Sequence, residues 1–239
     1  MPRSGSPHRS CTLAGRSAWP SSPRTSTSSP GTGTSGSAQR VGVLGGSFDP
    51  PHIGHLVVAA EALWRLGLDE LLLVPAGVPP HKPGGTEADG ERRLTWCAAL
   101  AATQPGLSVS RCEIDRAGPS YTADTLGQLA AERPGAALWF LMGSDQLAGL
   151  PTWRSPERIL ALARLGVVPR PPHSLADVEA LGATLAPGRV DLVDAPRMDV
   201  SSTLVRARLA AGLPVRHLVP HGVWDSLVAE GLVPSPHSS

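Results

Sequence analysis

The chain has 239 residues, with 41% hydrophobic and 17% charged side chains, enough to bury the core of one α/β domain and barely enough for two. Its formal net charge of +1 excludes a general pull toward nucleic acid or an acidic membrane surface, so any anion site must be local. Three widely spaced cysteines, Cys11, Cys97 and Cys112, with no Cys-x-x-Cys, argue against a disulfide framework or structural zinc and favour a reducing, cytoplasmic setting, and no apolar run reaches bilayer-spanning length.

Residues 1–39 are rich in Ser, Thr, Gly, Pro and Arg, lack acidic residues and show no periodicity, which predicts disorder. Such an acid-free, Arg-containing stretch resembles a transit peptide; a start codon assigned too far upstream or a dispensable tail is the favoured reading. Residues 40–233 are expected to form a single domain, with 234–239 a short tail.

Val41 to Gly45 reads as a buried strand and Ile53 to Leu66 has helical spacing. Leu71 to Val74 is a second strand, Glu91 to Thr103 a helix, and a strand follows near Leu107 to Ile114. Thr122 to Glu132 is a helix, with Ser120 or Thr122 a plausible cap. Ala137 to Met142 is a strand, and Ser155-Pro156 opens a helix in cap-then-proline order. Strands are expected at Leu165 to Val168 and Val190 to Val193, and helices at Ser201 to Ala210 and Val223 to Ala229. This alternation implies an α/β class, Rossmann-like, with a doubly wound parallel sheet, helices on both faces and ligands beyond the carboxyl ends of the strands.

One segment carries the sharpest chemistry: Gly45-Gly-Ser-Phe-Asp-Pro-Pro-His52-Ile-Gly-His55. A strand ends in glycines that let backbone approach a phosphate. A helix then begins, offering unpaired N–H groups and the positive end of its dipole. His52 and His55, three apart, share a side of the first turn and can donate to phosphate oxygens. Neither the Walker pattern nor the dinucleotide fingerprint is present.

Further candidates follow. Lys82, the chain's only lysine, ends a proline-stiffened loop and suits a phosphate. Tyr121 offers a flat face, and Thr122 with the helix N–H groups can hold a carboxylate. Trp153 can stack on a cationic aromatic ring, and Asp145, after Gly143, can accept from ribose hydroxyls. Ser201, Ser202 and Thr203 open a helix with hydroxyl and backbone donors to a triphosphate. Arg206, one turn on, can meet a departing pyrophosphate. Arg170 is a weaker phosphate candidate. No acidic cluster looks like a dedicated metal cage.

These motifs resemble the HxGH nucleotidylyltransferase superfamily, whose members have a Rossmann-like fold and transfer a nucleotidyl group to a phosphate acceptor. The Gly-Gly-Ser-Phe-Asp-Pro opening, Pro-Pro-His-Lys82, Pro119-Ser-Tyr-Thr-Ala-Asp-Thr-Leu126, Gly143-Ser-Asp145 with Thr-Trp153, and Ser201-Ser-Thr-Leu-Val-Arg206 are similar to its nicotinate mononucleotide adenylyltransferase branch from Val41 to about Leu232. The resemblance implies transfer of AMP from ATP to nicotinate mononucleotide in NAD biosynthesis, giving nicotinate adenine dinucleotide and pyrophosphate, with Mg²⁺ carried by ATP. It implies His52 and His55 as catalytic residues. Gly45, Gly46, Ser47, Phe48, Gly143, Asp145, Ser201, Ser202, Thr203 and Arg206 would bind ATP, and Lys82, Tyr121, Thr122 and Trp153 the acceptor. Two positions depart from the branch: Arg154 stands where some relatives carry tyrosine, and Trp224 lies near an aromatic position that Ser226 occupies. Nicotinamide mononucleotide or another phosphate acceptor, and a noncatalytic nucleotide-binding module, stay open as alternatives. No nucleic-acid or membrane partner is expected, and oligomeric state is not legible.

Overall fold

A computed structural model describes residues 38–78 and 85–233. The tail 234–239, nearly all of the stretch 1–39 and Lys82 lie outside the described residues.

Six parallel strands form one sheet in the order β3-β2-β1-β4-β5-β6. They are β1 (Arg40–Gly46), β2 (Glu70–Pro75), β3 (Leu107–Val109), β4 (Ala137–Gly143), β5 (Ala163–Val168) and β6 (Val190–Leu192). The helices are α1 (Ile53–Arg65), α2 (Gly90–Ala101), α3 (Thr122–Glu132), α4 (Ser144–Gly149), α5 (Pro156–Leu162), α6 (Leu175–Leu185), α7 (Ser202–Ala210) and α8 (His221–Ala229).

Side chains of a strand alternate between faces, and the core divides accordingly. Leu71, Leu73, Trp139 and Leu141 pack with α1, α2, α7 and α8 through Ala59, Ala62, Trp96, Leu100, Val205 and Leu227. Val41, Val43, Leu72, Leu138 and Phe140 pack with α3 to α6 through Leu126, Leu147, Ile159 and Val178 on the other face. The sheet is therefore doubly wound, as the alternation predicts. Strand order reverses between β1 and β4, the switch point outside which ligands bind in such sheets.

The structure alters some local expectations. β3 stops at Val109, because the chain turns where the Asp115 N–H donates to the Arg111 carbonyl. Neither Ser120 nor Thr122 caps α3: its N-cap is Tyr121, with no side-chain cap, and the Ser120 hydroxyl instead accepts from the Gly77 N–H. Ser155 precedes α5 in the left-handed region, φ 55°, without a side-chain cap. Two helices, α4 and α6, are additional. Among the described residues no helix is long and apolar enough to cross a membrane.

Candidate active site

The loop after β1 is fixed from beneath. Phe48 sits at φ 48°, a backbone region that disfavours non-glycine residues, and burial of its whole ring keeps it there. A Cβ on Gly46 would come within 3.2 Å of that ring, so the second glycine makes room for it. The ring packs against His55, centroids 4.7 Å apart. The Phe48 ring thus supports a histidine.

Distant elements hold the same loop by polar bonds. Buried Arg93 donates through Nη1 to the Ser47 carbonyl at 3.0 Å and through Nε to the Ala88 carbonyl at 3.2 Å. The Asp49 carboxylate accepts the Glu87 and Ala88 N–H groups at 2.8 and 3.2 Å. From α7, the Ser202 hydroxyl donates to the Pro50 carbonyl at 2.8 Å, and Arg206 Nη1 donates to the Asp49 carbonyl at 2.6 Å.

Helix α1 begins at the end of this loop. His52 is its N-cap, and the His52 N–H donates to His55 Nδ1 at 3.1 Å. That bond places the neutral His55 proton on Nε2. The two rings stack with centroids 3.8 Å apart. Burial pushes the His52 imidazole down to about 4, helped by the Arg170 charge. Burial, the His52 ring and Arg170 hold His55 well below the ordinary histidine range. Both rings are therefore neutral at neutral pH.

His52, His55, Arg170 and Ser201 line one cavity of about 560 Å³, walled by Val168 to Pro171 and Ala195 to Ser201. Arg170 places a fixed charge beside the imidazoles, while Arg197 and Asp199, which line the same cavity, pair with each other at 2.8 Å. The Arg170 N–H donates to the buried Ser144 hydroxyl at 2.8 Å, which donates back to the Arg170 carbonyl at 3.2 Å. A Cβ on Gly143 would stand 3.0 Å from Arg170 Cδ and collide with Asp145 Oδ1, so the strand-end glycine gives the guanidinium its place. The sequence marks Arg170 faintly, because it belongs to no spaced motif.

The other expected site residues divide. Gly45, Gly46 and Ser47 shape the loop and do not line the cavity, nor do Asp145, Ser202 and Thr203. Ser201 caps α7 by accepting the Leu204 N–H at 3.1 Å while also facing the cavity. Arg206 is held by acidic partners in this structure. Its Nε donates to Glu87 Oε1 at 2.7 Å and its Nη1 lies 3.7 Å from Asp49 Oδ2, so it lines a different cavity with Trp96 and Leu209.

Tyr121, Thr122 and Trp153 lie outside the histidine cavity. Trp153 packs edge-on against Phe140, centroids 6.0 Å apart. Phe140 approaches β1, 3.7 Å from a Cβ built on Gly45. The strand-following loop reaches Tyr121's neighbour: the Ser120 N–H donates to the Val78 carbonyl, and Val78 bridges Pro119. A Cβ on Gly77 would strike the Glu113 carbonyl oxygen, so only glycine permits that approach. Arg154 covers the Tyr121 ring, its Cζ 4.5 Å from the centroid.

The cytidylyltransferase-like family profile matches residues 43–208, from β1 to α7. The chain belongs to the cytidylyltransferase-like family. Within that family it is similar to proteins named "Probable nicotinate-nucleotide adenylyltransferase": 42% identical over 81% of this chain and 89% of the relative from Saccharopolyspora erythraea, and 45% identical over 75% of this chain and 93% of the relative from Streptomyces coelicolor. Its fold is similar to that of a Plasmodium falciparum nicotinic acid mononucleotide adenylyltransferase solved with NaAD, with a TM-score of 0.66 and 16% identity over 81% of this chain and 97% of that one. The cytidylyltransferase-like match thus spans both the histidine-bearing loop and the helix that grips it.

Proposed function

We propose that the chain transfers the adenylyl group of ATP to nicotinate mononucleotide, releasing pyrophosphate and forming nicotinate adenine dinucleotide, a step of NAD biosynthesis. The observation that carries this reading is the pair of stacked, neutral histidines sharing one cavity with Arg170 and Ser201, in a chain whose relatives bear that enzyme's name.

The acceptor phosphate attacks the α-phosphorus in line, and such transfers need positioning and charge neutralisation rather than a covalent nucleophile. His55 donates from Nε2 to an α-phosphate oxygen, and the His52 ring stacked on it fixes its plane. Because both rings are uncharged beforehand, their donors carry little hydration to shed; Arg170 supplies the standing positive charge. The Ser201 hydroxyl and the α7 N-terminus face the leaving pyrophosphate. Arg206 works one step back, tying the Asp49 carbonyl in place while the Ser202 hydroxyl holds that of Pro50. Mg²⁺ enters as part of the MgATP substrate; among the described residues no three His, Cys, Asp or Glu side chains converge to hold an ion of their own. Tyr121, Thr122 and Trp153 receive the pyridine end of the acceptor. Lys82, outside the described residues, is assigned to the acceptor on the resemblance alone.

Incubation with MgATP and nicotinate mononucleotide tests the proposal. Equal amounts of pyrophosphate and dinucleotide are expected. A folded protein that releases neither overturns it.

A further inference from the structure

The N-terminus of α3 is electrostatically unbalanced in a way the phosphate chemistry does not use. Asp124, in its first turn, is approached by two guanidiniums: Arg158 Nη1 at 3.3 Å and Arg154 Nη1 at 3.9 Å. One carboxylate faces two cations, so one positive charge is left over. It sits beside a helix start with no side-chain cap, where the dipole adds to the same sign.

Arg154 is the mobile half of this arrangement in chemical terms. Its contact with Asp124 is long, its side chain is 59% exposed, and its remaining partner is the face of Tyr121. It follows Trp153 directly, and Ser155 turns the chain back at positive φ immediately afterwards. Arg158, by contrast, lies across Gly127, whose Cβ would meet its Nη2 at 2.7 Å, and is closer to Asp124. The two arginines therefore divide the work: Arg158 neutralises Asp124, and Arg154 lies over the Tyr121 ring, next in the chain to Trp153, the other aromatic residue assigned to the acceptor.

We infer that Arg154 is the specificity-determining residue that favours an acceptor bearing a carboxylate on its pyridine ring over the corresponding amide. The inference rests on the proposed acceptor site. A guanidinium meets a carboxylate with two parallel hydrogen bonds and opposite charge, whereas an amide offers one acceptor oxygen and no charge. Stacking on Tyr121 keeps the guanidinium partly dehydrated and oriented before the acceptor arrives.

The test compares kcat/KM for nicotinate and nicotinamide mononucleotides in the wild type, Arg154→Gln and Arg154→Lys, with isothermal titration of both mononucleotides to each protein. Arg154→Gln is expected to lower the acid-to-amide ratio at least about fivefold, mainly through KM for the acid. Arg154→Lys, which keeps the charge but not the fork, should fall between. A ratio unchanged within about twofold in Arg154→Gln overturns the inference while leaving the transfer activity standing. Equal losses for both acceptors also overturn it, since a merely structural role lowers both together. If the wild type turns over neither acceptor, the activity proposal fails, and the titrations still decide whether Arg154 discriminates between the acids and amides.

Discussion

The histidine loop and the Tyr121–Trp153 cluster sit at the same end of one sheet, yet water reaches them very differently. Arg93, Asp49 and Phe48 are 1%, 3% and 0% exposed, and the bonds of Arg93 and Asp49 run to backbone carbonyls and N–H groups of the loop and of residues 87–88. In the second cluster, Arg154, Arg158 and Asp124 have side chains 59%, 54% and 36% exposed. Buried polar bonds are costly to leave unmade and therefore fix geometry. Exposed ion pairs contribute little and can rearrange. The loop proposed to meet the reacting phosphate is thus preorganised, which is what electrostatic stabilisation of a transition state requires, and the proposed acceptor rim is left adjustable.

The largest expected effect tests the first half of that contrast. His55→Ala should slow pyrophosphate release about 10²–10³-fold with circular dichroism unchanged. Trp153→Leu should instead raise KM for the acceptor and spare most of kcat. If the two variants lose kcat equally, the division between a fixed catalytic loop and an adjustable rim is wrong.

Arg93 comes next. Arg93→Met keeps the aliphatic stem but removes the charged bonds to the Ser47 and Ala88 carbonyls, and should lower unfolding free energy by about 2–3 kcal/mol in a urea titration. Arg158→Met, at the exposed rim, should lower it by no more than about 1 kcal/mol. Comparable losses would show that exposure does not separate the two regions.

Much of the first region was legible. Two glycines at a strand end followed by His52-x-Gly-His55 have few structural explanations besides an anion site, and short continuous apolar runs announced the strands. The supports were not legible. Arg93 and Ser47 are 46 residues apart, and nothing in either local pattern says that one guanidinium reaches the other's carbonyl. Nor do the motifs reveal that the Phe48 ring serves as a platform for His55 or that Arg206 ties the Asp49 carbonyl. Helix α6 escaped because Gly182 sits in its interior, where it weakens helical preference. The Ser174-x-x-Asp177 capping box at its start was the available signal.

The depressed imidazoles give a third, smaller effect with a definite sign. His52 titrates at about 4 in the folded chain against an ordinary 6.5, so the unfolded chain takes up this proton first. Its contribution to stability is complete above the unfolded value and is lost as pH falls through the interval toward the folded one. Between neutral pH and about pH 5 the loss attributable to His52 is about 2 kcal/mol. His52→Gln should remove that increment from the pH dependence of the urea midpoint. A variant with the wild-type slope would mean that the His52 ring is solvated, and with it that the cleft is not the dry region described above.

The smallest effect isolates exposure with the chemistry held constant, because Arg206 has two acidic partners. Asp49 is 3% exposed and also accepts two backbone N–H groups; the Glu87 side chain is 72% exposed and pairs with Arg206 alone among these groups. Glu87→Gln should change unfolding free energy by less than about 0.5 kcal/mol, whereas Asp49→Ala, which orphans the two N–H groups, should lower it by about 1–3 kcal/mol. The same Glu87→Gln variant reports on Arg206 itself. If Arg206 only ties the loop, Asp49 still holds it and KM for ATP stays within about twofold of wild type. If Glu87 instead competes with pyrophosphate for that guanidinium, removing its charge frees Arg206, and KM for ATP falls. That outcome would return Arg206 to the leaving-group role its place in the Ser-Ser-Thr-x-x-Arg motif suggests, and would move the boundary between the fixed and adjustable parts of the site onto α7.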